Sequence, residues 1–211
     1  TVIRIENGGE VERTQGWDRA EWRRITGNNA LGAGLPDFRP GCGSLSVEPG
    51  MPERLSLQFG GMHLISRKIE VGEMDDPMEV AHDRGWTDGL PVVPPTDLRI
   101  ARMLSGTTRK SDETIGLIPP NLAECTIEKV AISAVMAGCR PEYMPVVLAV
   151  VEAALKPEFS MHGLLATLGF AGPVVIVNGP ITKRIGMNSK GNALGQGNRA
   201  NASIGRTLQL L

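Results

Sequence analysis

The sequence predicts an α/β (or α+β) fold, with helices packed on a central sheet and an N-terminal extended or β-rich arm. Three observations carry that expectation. "GPVVIVNGP" at 172–180 sets four consecutive β-formers between glycines, the pattern of a strand buried on both faces. "TIEKVAISAVMAG" at 126–138 places Ile127, Val130, Ala131, Ala134 and Val135 at helical spacing, which gives one buried stripe. Helix-like runs precede the strand candidate and "ASIGRTLQLL" follows it, so helices layer on the sheet.

The elements follow in chain order. "TVIRIE" alternates as a short strand, and "GWDRAEWRRI" suits one amphipathic helix. "TGNNALGAGLPDFRPGCGS" is rich in Gly, Asn and Pro with little periodicity, whereas "RLSLQF" and "HLISRKIEV" alternate with period two and predict strands. Residues 1–75 therefore form either an arm or small β-rich subdomain, or the irregular start of a single domain. The main domain is expected over 76–211. There Asp76 caps a helix that Pro77 opens and Gly85 stops. Thr96 caps a second helix, ended by Gly106. "TIGLI" at 114–118 predicts a strand, and Thr126 caps the buried-face helix. Another helix begins at Pro141 and keeps Pro145 near its first turn, where a proline costs least.

Composition narrows the class. The chain has 211 residues, 41% hydrophobic and 21% charged, enough for one core or one domain plus an arm. A formal net charge of −1 gives no reason to expect nucleic acid, and no apolar run reaches the ~20 residues of a membrane span. Residues 1–16 lack signal-peptide regions. The three cysteines (Cys42, Cys125 and Cys139) are odd in number and irregularly spaced, which predicts reduced thiols in a cytoplasm. With 26 glycines, 15 prolines and only 4% aromatics, the chain should be rich in loops, where sites are usually built.

Three segments are candidate site material. In "MAGCRPEYMPVVLA", Cys139 falls between the end of one helix and the start of the next. Exposed N–H groups of the second helix, with Arg140 adjacent, favour a thiolate, while the Glu142 anion partly opposes it. The competing reading is a small buried cysteine packed between helices. In "GNALGQGNRANASIGR", loop amides, a helix start and Arg199 suit a carboxylate, phosphate or oxyanion, and Asn198 and Asn201 add paired donors and acceptors. A flexible surface loop is the alternative, since no phosphate-loop or dinucleotide pattern is present. In "GWTDGLPVVPPT", Trp86 and Asp88 sit on stiff backbone and either line a pocket or form a simple packed turn.

Other chemistries have weaker signals. His63, His82 and His162 are far apart and no metal motif joins them, so no metal is expected; the sequence indicates no particular cofactor. Cys42 sits between glycines, either approached closely by a ligand or as a plain loop thiol. Thr1 has the residue type of an N-terminal nucleophile without a partner motif.

The three segments together, over about residues 80–211, resemble a poorly characterised bacterial family encoded beside or fused to small proteins with a Sec/Cys-Gly-Ser-Cys motif. The resemblance implies thiol or selenol chemistry. It makes Cys139, Arg140, Glu142, Asn178, Arg199, Asn201 and Arg206 site candidates. The resulting expectation is an enzyme, or enzyme subunit, acting on a small polar or anionic molecule by thiol-based redox or nucleophilic chemistry. The alternative is a noncatalytic scaffold or ligand-binding subunit of a heteromeric enzyme. The apolar "TLQLL" end further predicts that Leu208 and Leu211 pack against another polypeptide, either a partner subunit or a second copy.

Overall fold

The computed structural model describes residues 2–6, 9–14, 16–35, 37–39, 49–59, 62–169 and 171–211. Thr1 and Cys42, each considered above for its chemistry, lie outside the described residues. The chain divides into two compact units, Thr1–Leu55 and Ser56–Leu211.

In the first unit, strand β1 (Val2–Glu6) pairs antiparallel with β2 (Gly9–Thr14), and the two-residue β3 (Trp17–Asp18) pairs with β4 (Phe38–Arg39). Helix α1 (Arg19–Thr26) starts where the Asp18 carboxylate accepts from the Glu21 N–H at 3.0 Å. It ends at Gly27, whose left-handed φ of 68° lets its N–H return to the Arg23 carbonyl. Trp17 and Trp22 meet edge to face at 5.0 Å, and Ile25 is buried.

Helix α2 (Met51–Phe59) overturns the strand expected at "RLSLQF". The stretch is too short for its alternation to decide, and the residues before it decide instead. Gly50 turns the chain with φ 84°, Pro52 and Glu53 fall in the first helical turn, and the Arg54 N–H bonds the Gly50 carbonyl.

The second unit is mainly helical. Helix α3 (Pro77–Asp83) is capped by the Asp76 carboxylate on the Met78 N–H, and α4 (Asp97–Leu104) follows Thr96. Thr96 makes no side-chain cap bond. Strands β5 (Thr114–Ile118) and β6 (Ala123–Thr126) form an antiparallel hairpin. Helix α5 (Ile127–Met136) begins with the Thr126 hydroxyl on the Lys129 N–H. A single 3-10 turn at Pro141–Tyr143 leads into α6 (Met144–Ala154), which keeps Pro145 in its first turn. Short helices α7 (Met161–Ala166) and α8 (Ile181–Arg184) precede α9 (Arg199–Leu210).

Helix α5 occupies the centre and packs against α4, α6 and α9. Ile127, Val130, Ala131 and Ala134 from its stripe, Met144 from α6 and Ile204 from α9 are at most 1% exposed. Gly106, after α4, lets the chain approach so closely that an added Cβ would lie 1.9 Å from the Pro141 carbonyl oxygen.

The protein is therefore mixed and mostly helical, with small two-stranded antiparallel sheets, and no central sheet is present among the described residues. "GPVVIVNGP" forms no strand and joins no sheet: Val174 is 73% exposed and Ile176 81%. Its β-forming residues lack a facing strand, because β5 and β6 satisfy one another. "HLISRKIEV" likewise forms no strand and bends at Ser66. The apolar side of α9 packs within its own unit, burying Leu208, and Leu211 lies partly buried against the same core.

Candidate functional site

Cys139 sits in the turn between α5 and α6, its N–H bonded to the Ala134 carbonyl and Gly138 before it at φ 86°. It is 7% exposed. Its Sγ lies 3.3 Å from Thr207 Oγ1 on α9. The Thr207 hydroxyl also reaches the Ser203 carbonyl, and the Ser203 hydroxyl the Arg199 carbonyl. Either the thiol or the Thr207 hydroxyl can be the donor between them. Burial pushes the thiol up from its ordinary value, and the Ser203 and Thr207 hydroxyls and the Arg199 charge oppose this only in part. Arg140 and Glu142 are exposed and form no side-chain hydrogen bond or ion pair with a described residue. Cys125 is free, fully buried and also pushed up by burial.

The glycine-rich segment folds back on itself. Asn198 caps α9 by accepting from the Asn201 N–H, and its amide donates to the Gly186 carbonyl. Asn201 Nδ2 donates to the Asn188 and Ala193 carbonyls while its Oδ1 accepts from the Asn188 N–H. These amides hold the loop in shape and are fully engaged. Arg199 Nε donates to the Gly138 carbonyl at 2.9 Å, which joins this loop to the Cys139 turn. Asn178, at the end of the unpaired stretch, is exposed.

Asp88 and Arg206 meet each other. The Arg206 guanidinium grips both Asp88 oxygens at 2.8 and 2.7 Å and also donates to the Leu90 carbonyl. Their side chains are 7% and 19% exposed, so the pair is largely shielded from water. The guanidinium holds the Asp88 carboxyl below the usual carboxylate range. This clamp fixes the turn that carries Trp86 onto α9.

Trp86 lies on the wall of a cleft of about 1160 Å³ within the second unit. Pro94, Pro95, Ile132 and Met136 give the cleft an apolar surface, and residues 66–69 pass along it. Arg67 and Arg84 stand 5.8 and 5.2 Å from the Trp86 ring centroid. Lys68 is neutralised by Asp97, but Arg67 pairs with no carboxylate among the described residues. Asp88 reaches the cleft already neutralised by Arg206. Cys139, Arg140, Glu142, Asn178, Asn198, Arg199 and Asn201 do not line it.

No protein family, curated protein or solved structure matches the chain.

Two residues that sequence reasoning missed complete the cleft. Glu128 is fully buried, and its carboxylate accepts from the Ile65 and Ser66 N–H groups, both at 2.9 Å. That places this stretch, and Arg67 with it, against α5. Glu128 reads as an ordinary first-turn acid in sequence, so nothing marks it. Arg67 is hidden in an alternation that suggested only a strand. Among the described residues, no three His, Cys, Asp or Glu side chains are grouped to hold a metal ion, and no helix is long and apolar enough to cross a membrane.

Proposed function

We propose that the chain is a ligand-binding subunit of a heteromeric enzyme, taking a small molecule with an apolar body and an anionic group into the Trp86 cleft. Arg67 carries this reading: a guanidinium over Trp86, beside an apolar floor, with no carboxylate of its own. A carboxylate or phosphate at Arg67, with its apolar part over Ile132 and Met136, fits that arrangement. The cleft volume lies somewhat above the roughly 300–1,000 Å³ typical of ligand pockets, so a small molecule would fill only part of it.

The thiol chemistry implied by the family resemblance is the competing reading. Against it stand the burial of Cys139, which pushes its thiol up, and its absence from the cleft lining. The cysteine then packs α5, α6 and α9 together and need not react.

The test is a thermal-shift and calorimetric screen of aryl and alkyl carboxylates and phosphates. An aromatic or branched anion should stabilise the wild type and bind at least tenfold more weakly to Arg67→Glu. Cys139→Ala should bind as the wild type does. Binding that ignores Arg67→Glu, or that is lost in Cys139→Ala while the fold survives, would overturn the reading.

A further inference from the structure

We infer that Glu128 is a positioning residue that makes the Trp86 cleft selective for an anion, by latching the backbone that carries Arg67. The inference rests on the ligand reading above. Glu128 stands in the first turn of α5, where an acid ordinarily serves its own helix from the surface. Here it is fully buried, and its two oxygens accept from the N–H groups of Ile65 and Ser66, 63 and 62 residues away. A carboxylate suits that task as no neutral side chain does. It offers two equivalent acceptors and no donor, whereas an amide would turn its own N–H toward one of the two donors. The Ser66 amide is the one next to Arg67, and the chain bends there.

The two halves of the cleft have different supports. Its apolar floor, Ile132 and Met136, belongs to α5 and is carried by the core helix itself. Its cation belongs to a stretch that is neither helix nor sheet. Upstream, Met62 and Leu64 pack on the core. From Ile65 through Val71 the backbone makes no hydrogen bond to another described residue except the two at Glu128. Lys68 pairs with Asp97, but both side chains are exposed, and such pairs hold little. The Trp86 ring, 5.8 Å away, attracts the Arg67 guanidinium only modestly at an exposed site. Released from the latch, the long arginine side chain carries its charge out to water. The floor then remains and the anion contact goes.

Calorimetric titration of naphthoate and its neutral amide, naphthamide, into the whole chain tests this. Wild type should prefer the anion. Glu128→Gln keeps the side-chain volume and should lose roughly tenfold or more in naphthoate affinity, the scale of a lost charged hydrogen bond. Naphthamide should bind that variant within about twofold of wild type, since its floor is untouched. Because Glu128 acts through Arg67, adding Glu128→Gln to Arg67→Ala should weaken naphthoate no further. The coupling also runs in reverse: saturating naphthoate should slow amide exchange at Ile65 and Ser66 in wild type, and naphthamide should not. That measurement needs no variant to fold. Equal losses for both probes in Glu128→Gln, additive losses in the double variant, or unchanged exchange would each overturn the inference and leave Glu128 a purely structural residue. The ligand reading then still stands if Arg67→Ala loses naphthoate. A wild type that binds naphthoate no better than naphthamide overturns both.

Discussion

Residues 62–71 and 171–178 have the same local character and opposite fates. Both carry β-formers, and neither belongs to a helix or a sheet. The first is held by a side chain: the buried Glu128 carboxylate takes two consecutive N–H groups, Ile65 and Ser66, where the chain bends. Ser111 adds a bond to the His63 carbonyl. The second has no such substitute, and its outward residues remain in water. The difference teaches that a strand pattern states a demand for hydrogen bonds without saying which group meets it.

The largest expected effect comes from removing that substitute. Glu128→Ala leaves two N–H groups and a small cavity at the head of α5. The chain should lose about 3–5 kcal/mol of unfolding free energy, or fray over 62–71. Urea denaturation measures the first outcome and amide exchange at Ile65 and Ser66 the second. An unchanged midpoint with protected amides would mean that the carboxylate is not what holds this stretch.

A smaller effect is expected where the cleft wall is pinned to α9. Asp88→Asn should cost about 2 kcal/mol at pH 7, the scale of hydrogen bonds to a charged partner. The sign with pH follows from the carboxyl's depressed value in the folded chain. Its contribution is complete above the unfolded pKa of about 3.9 and is lost as pH falls through the lower folded value. The gap between wild type and Asp88→Asn should therefore be flat from pH 7 to about 5 and close below about 4. A gap that persists at pH 2 would assign the cost to packing rather than charge.

Local rules made much of the fold legible. Asp76 with Pro77, Thr126, and the stripe from Ile127 to Val135 place helices α3 and α5 where they are found, because caps and 3.6-residue spacing depend on near neighbours. "TVIRIE" and "TIGLI" are strands because hairpin partners lie within a few residues. The strand at "RLSLQF" and the central sheet were misread because each depended on something beyond the stretch itself, Gly50 and Pro52 in one case and an absent facing strand in the other. The candidate residues were legible as neighbours more than as ligands. Arg199 does reach the Cys139 turn, and Asp88 does meet Arg206, but they bond protein groups. Glu128 and Arg67 were invisible because their meaning arises from contacts across the fold, 63 residues apart in the bond to Ile65.

The smallest expected effect completes the comparison. Ile176 carries one of the most β-prone side chains in the chain's strongest strand pattern, yet it is 81% exposed. Replacing it with Ser removes apolar surface that the single chain scarcely buries, so the transfer cost has almost nothing to act on. At concentrations where the chain is monomeric, Ile176→Ser should change unfolding free energy by less than about 0.5 kcal/mol, as most exposed substitutions do. Chemical denaturation at low micromolar protein is the measurement. A large loss would place Ile176 in the chain's own core despite its exposure.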